Sequence, residues 1–160
     1  MRAGIAIRPL QPRDIESVAK LLEALARDYI TPEFSLDGQQ LFLSKNNEDS
    51  ITGFVNEGFR YHVAHLNGQI VGFVGMRDNK HLYHLFVATV LQRQGLGRRL
   101  WEVARAECIA AGNPGEFTVN SSKNAIGVYE RFGFVRTAPT QDSNGVLYNP
   151  MATLSGRGDR

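Results

Sequence analysis

Between Arg60 and Val87 the sequence holds three strand-like runs in quick succession, Arg60–Leu66, Gln69–Arg77 and His81–Val87. Two-residue punctuation separates them. Asn67-Gly68 is a hairpin signal, because both residues tolerate positive φ, and Asp78-Asn79 marks a second turn. These runs are expected to be three strands joined by short turns, the first two as a hairpin. Beyond Val87 the apolar period changes. From about Gly95 to Ala111, Leu96, Leu100, Val103, Ala104, Cys108 and Ala111 recur at three- and four-residue spacing, the stripe of a long helix, with Gly112 at its end.

The flanking segments complete the order. Gly4–Leu10 alternates as a first strand. A helix is expected from about Pro12 to Asp28, with Pro12 in its first turn and Asp14 complementing the dipole. Thr31-Pro32-Glu33 breaks it. A second helix is expected from about Asp37 to Glu57, interrupted around Asn46–Ser50. Downstream come a strand near Glu116–Asn120, a short helix near Lys123–Phe132, and strands at Phe134–Thr137 and Val146–Leu154, with Pro150 expected to limit the last one's pairing. The order β-α-α-β-β-β-α-β-α-β-β predicts an α/β (α+β) domain, a mixed sheet flanked by helices.

Composition narrows the class. A chain of 160 residues suits one domain, here residues 1–154, followed by a polar tail, 155–160, expected to be disordered. The tail's Arg157-Gly158-Asp159 is read as a chance tripeptide. A formal net charge of +2 gives no nucleic-acid footprint, and no run is long enough for a membrane span. A single cysteine, Cys108, excludes an internal disulfide and a cysteine metal site, pointing to a cytoplasmic setting and no metal. On base rates a homodimer is expected.

The functional signal lies where the third of these runs meets the long helix, at Gln92-Arg93-Gln94-Gly95-Leu96-Gly97-Arg98-Arg99. Two glycines let a bulky ligand approach backbone N–H groups, and the first N–H groups of a helix lack internal partners. Arg93, Arg98 and Arg99 crowd the positive end of the dipole, which an anion would offset. The residues alone admit a phosphate site or a solvated glycine turn. A P-loop is absent, and so is the third glycine of a dinucleotide fingerprint.

Gln92–Gly97 resembles the [QR]-x-x-G-x-[GA] signature of the GNAT acetyltransferase superfamily, and Leu85-Phe86-Val87 resembles the strand that precedes it. Val119-Asn120-Ser121-Ser122, Asn124-Ala125 and Val128–Phe134 resemble the same family's later strand, helix and Y-x-x-x-G-F ending. The resemblance implies a mostly antiparallel sheet of six to seven strands, splayed between the fourth and fifth. It implies acetyl-CoA as cofactor. Leu85, Phe86 and Val87 would hold pantetheine through their backbone, Gln92, Arg93, Gln94, Gly95, Leu96, Gly97 and Arg98 would cradle the pyrophosphate, and Asn120 and Asn124 would lie near the splay and pantetheine. Tyr129 would act as general acid, its alternative being a packed helix tyrosine. His84 is a candidate base, with His81, Tyr83 and Glu33 behind it. Tyr29, Glu33 and Phe34 would border the acceptor pocket. The activity implied is acetyl transfer to a primary amine of a small molecule or protein, the alternative being a CoA-binding sensor without turnover.

Overall fold

The computed structural model describes residues 4–154; the expectations for the tail and its Arg-Gly-Asp tripeptide lie outside them. Strands β1 (Ala6–Pro9), β2 (Arg60–Leu66), β3 (Gln69–Arg77) and β4 (His81–Val87) form an antiparallel meander in that spatial order. Then come β5 (Thr118–Ser121), β6 (Phe134–Arg136), β7 (Gln141–Ser143) and β8 (Val146–Thr153). β8 runs antiparallel to β5, and both β6 and β7 pair with β8. Helices are α1 (Ile15–Tyr29), α2 (Leu36–Lys45), α3 (Glu48–Asn56), α4 (Leu96–Ala110) and α5 (Ile126–Arg131).

The eighth strand exceeds the expected six to seven. It is β7, three polar residues with no apolar alternation to announce it. Its turn, Asn144-Gly145, has positive φ at both positions (55° and 89°), as Asn67-Gly68 does (52° and 79°), the pattern of a two-residue hairpin. Pro150 limits pairing on one side of β8 only, where Asn149 and Pro150 fall between its β7 and β6 ladders. It stands opposite Asn120 of β5, at the point where the outer side of β8 passes from β7 to β6, and its carbonyl accepts the Thr137 N–H at 3.0 Å.

The interruption expected around Asn46–Ser50 falls at Asn46-Asn47, between α2 and α3. Asn46 and Asn47 divide the two helices by hydrogen-bonding backbone with their side chains. Asn46 Nδ2 donates to the Phe42 carbonyl at 2.9 Å, and Asn47 Oδ1 accepts the Ser50 N–H at 2.9 Å, capping α3. α2 is capped in turn by Ser35, whose hydroxyl accepts the Gly38 N–H at 3.0 Å.

Each face of the sheet carries its own core. On one, Leu96, Leu100, Trp101, Ala104 and Cys108 of α4 pack on Val74, Met76, Leu82 and Val119. On the other, Val18, Leu22 and Ala26 of α1 and Ile51 of α3 cover Tyr61, Val63 and Phe73. Burying side chains of this size stabilises by about 1.5–3 kcal/mol each before entropy. A bulge in β4 decides which residues face which layer. Gly75 pairs with His84 and Met76 with Leu82, so Tyr83 is the extra residue. Leu82 and Leu85 therefore both face α4, though strict alternation would oppose them.

β1 is tied to the entry of α1 by a buried carboxylate. Asp14 accepts Arg8 Nη1 and Nη2 at 2.7 and 3.0 Å and the Gln11 N–H at 2.8 Å. The Arg8 hydrogen bonds hold its pKa below the usual carboxylate value, against the opposing effect of burial. A depressed folded-state pKa gives stability present above the unfolded value and lost as pH falls through the folded one. Asp14→Asn should cost about 1–3 kcal/mol at neutral pH. Urea unfolding of both proteins should show that difference shrinking as the pH is lowered below the ordinary carboxylate range.

Candidate functional site

β4 and β5 are parallel neighbours for two residue pairs only, His81 with Thr118 and Leu82 with Val119. Beyond Leu82 the strands part, and the rest of β4 has no ladder partner on that side. A cavity of about 990 Å³ opens there. Leu85, Phe86, Val87, Asn120, Asn124 and Tyr129 all line it. The structure thus brings together residues that the sequence places on three separate elements.

The loop from β4 into α4 is held in an uncommon backbone shape. Arg93 has φ of 64° and Gly95, the N-cap of α4, has φ of 86°. A left-handed arginine is unusual, and left-handed turns converge backbone N–H groups into an anion-binding concavity. Gln92 braces the loop by donating Nε2 to the Val87 carbonyl at 3.0 Å. A side chain at Gly97 would meet only Val87 Cγ2, at 3.9 Å, so the first turn of α4 is open to a ligand. Gln92, Arg93, Gly95, Gly97 and Arg98 line the cavity. Leu96 instead packs in the core, and Gln94 turns its amide to the Val90 carbonyl at 3.2 Å. Arg98 donates to the Arg131 carbonyl at 3.1 Å with its guanidinium 5.0 Å over Phe132, joining α4 to α5.

Tyr129 is 6% exposed, set edge-on to Phe132 and Phe134. Burial raises its pKa, so the phenol keeps its proton. Asn124 donates to the Tyr29 carbonyl at 2.6 Å, and Tyr29 Oη lies 3.2 Å from Thr89 Oγ1. Together these tie the end of α1 across the gap. Tyr29 and Phe34 line the cavity, Phe34 against Phe42. Glu33 does not. It faces a smaller neighbouring cavity of about 370 Å³ and stands 3.6 Å from Lys123.

His84 is fully engaged. Because Asn46 Nδ2 donates to Phe42, its Oδ1 accepts from His84 Nε2, at 2.7 Å. Nδ1 is then the acceptor for the Tyr61 hydroxyl at 2.9 Å. Burial lowers the His84 pKa to about 3. The neutral ring is thus a hydrogen-bonded bridge between β2, β4 and the end of α2. His81 is half-buried, its Nδ1 2.7 Å from Thr118 Oγ1, and burial lowers it to about 4. Tyr83 also lines the cavity, with its pKa raised by burial.

No motif or spacing announced the walls supplied by Leu41, Phe42 and Lys45 of α2 and by Val146, Leu147 and Tyr148 of β8. Only Asn144-Gly145 hinted at the hairpin that positions the β8 residues. Among the described residues no cluster of His, Cys, Asp and Glu suits a metal, and no helix is long and apolar enough to cross a membrane.

Comparison with known proteins identifies the class to which this geometry belongs. The family described as acetyltransferase (GNAT) domain matches residues 30–155, and the chain belongs to that family. A comparison with the curated proteins returned no match. Among solved structures, the GCN5-related N-acetyltransferase of Rhodopseudomonas palustris aligns with TM-score 0.74 at 22% identity, over 96% of this chain and 97% of that one. The PaiA N-acetyltransferase of Thermoplasma acidophilum, in complex with coenzyme A, aligns with TM-score 0.75 at 17% identity, over 94% and 98%. An aminoglycoside 6'-N-acetyltransferase complexed with coenzyme A aligns with TM-score 0.66 at 13% identity, over 92% and 96%. At these identities the structures speak for the fold: a mostly antiparallel sheet splayed between β4 and β5.

The His84 bridge makes a stability prediction. Asn46→Leu strands the buried Nε2–H and should cost about 1–3 kcal/mol. Denaturant unfolding would read this as a lower midpoint with an unchanged slope.

Proposed function

We propose that the chain transfers an acetyl group from acetyl-CoA to a primary amine by direct attack. The observation that carries the reading is the continuity of one cavity from the left-handed Arg93–Gly95 turn, along the unpaired side of β4, to the tyrosine of α5. Each part fits a piece of the cofactor. The open first turn of α4 and the turn before it suit a pyrophosphate. The unladdered backbone of Leu85–Val87 suits the amides of pantetheine, which can bond it as an added strand does. Two structural relatives are complexes with coenzyme A, which supports the same assignment. The sensor alternative has no observation of its own in its favour.

When bound, acetyl-CoA supplies the thioester carbonyl and a thiolate leaving group. In our reading Tyr129 is the proton donor to that sulfur. Its buried, proton-retaining phenol suits a general acid, and no described group hydrogen-bonds its hydroxyl. His84 is assigned a positioning role, because both ring nitrogens are engaged and its basicity is depressed. No carboxylate lines the cavity. We therefore route the proton of the acceptor ammonium to solvent through the cavity mouth, with no side-chain base. Tyr29 and Phe34 form apolar walls for the acceptor, and Glu33 is left out of its contacts. We carry a cytoplasmic setting on the single buried Cys108, and homodimerisation on general frequency alone.

Thermal shift with acetyl-CoA, CoA, ATP and NAD, followed by thiol release over an amine panel, tests the reading. CoA and its acetyl ester should raise Tm, as ligands of the folded state do. A rise with ATP or NAD and none with CoA would overturn it. Gly97→Trp should remove the CoA shift by filling the first turn of α4; an unchanged shift refutes the pyrophosphate site. Tyr129→Phe should lower kcat by about a hundredfold or more, the scale of a lost general acid, with the KM for acetyl-CoA little altered. Equal turnover in that variant would take Tyr129 out of the mechanism.

A further inference from the structure

The acceptor half of the cavity has an uneven charge. None of the residues lining the whole cavity is Asp or Glu. Three of its cations, Arg93, Arg98 and Arg131, come from the start of α4 and the end of α5, where the pyrophosphate is assigned. The fourth, Lys45, is separate. It ends α2, next to Asn46, whose side chain is bonded to His84 in the middle of β4. Lys45 therefore lines the cavity beside the strand that carries the reacting end, and it makes no ion pair with any described residue. The nearest acidic candidate from the sequence, Glu33, stands outside this cavity beside Lys123.

The lining of the cavity outside its arginine end is largely apolar and aromatic, with Phe34, Phe42, Tyr83, Leu147 and Tyr148 among it. Gly38 in the first turn of α2 lies directly against Gly145 of the β7–β8 turn, with no room for a side chain at either residue. The β7–β8 turn is thereby packed on the end of α2 opposite Lys45.

A polycationic acceptor entering here would lose water with no carboxylate to receive it, and would face Lys45 as a like charge. A carboxylate on the acceptor would instead neutralise the one unpaired ammonium of this half. We infer that the acceptor is a small primary amine that also carries a carboxylate on an apolar body, with Lys45 holding the carboxylate. This rests on the acetyltransferase reading and specifies its substrate class.

Matched amines test it: L-phenylalanine against phenethylamine, L-methionine against its decarboxylated amine, and with them spermidine, kanamycin and a lysine-containing peptide. Thiol release is measured for the wild type, Lys45→Met and Lys45→Glu, and the CoA thermal shift of each protein is recorded separately. The carboxylated member of each pair should have a kcat/KM about two- to fivefold higher in the wild type, the scale of an ion pair made by an exposed lysine. Lys45→Met should erase that gap, and Lys45→Glu should invert it, with the CoA shift intact. Higher kcat/KM for the decarboxylated amines, spermidine, kanamycin or the peptide overturns the inference alone, as does a gap that survives Lys45→Met. An intact CoA shift with no thiol release from any amine overturns the acetyltransferase reading and this inference with it.

Discussion

The parting of β4 from β5 after two paired residues is the constraint on which the rest of the molecule depends. A sheet interior left unpaired is costly, because every backbone N–H and carbonyl there must find a partner. The chain manages the gap from both sides. Gln92 covers the last carbonyl of β4, Asn124 and Tyr29 fasten α1 to the start of the α5 segment, and Arg98 fastens α4 to its end. The opening is a wedge held at fixed width, with an anion-receptive turn at one end and aromatic walls at the other.

The bulge at Tyr83 assigns the two faces of β4 their separate duties. By adding one residue it lets Leu82 and Leu85 both serve the α4 core, while His84 turns to the opposite layer and is locked by Tyr61 and Asn46. A histidine beside a reacting centre invites a catalytic reading. Here its hydrogen-bond inventory decides otherwise for our mechanism: one nitrogen donates, the other accepts, and no lone pair remains.

Much of this was legible from local patterns. The Asn67-Gly68 hairpin, the α4 stripe and the Gln92–Gly97 turn are each set by residues a few positions apart, and each falls where spacing puts it. What escaped was set by strand pairing and by partners across the fold. The three-residue β7 exists because β8 offers a free side, and Pro150 is tolerated because the strand changes neighbour there. Lys45 carries no mark of its neighbourhood in sequence, since its proximity to β4 runs through the contact between Asn46 and His84. The bulge, likewise, is a property of the ladder and invisible in either strand alone.

The left-handed conformation of Arg93 has its own consequence. An L-residue there bears a backbone cost on the order of 1 kcal/mol. Glycine would relieve that cost but take away a guanidinium from the mouth of the wedge. If the proposed pyrophosphate site holds, resistance to unfolding and attraction for an anion pull against each other at this one residue. Selection for a sturdier chain would erode the charge, and selection for a tighter hold on the ligand would keep the strain.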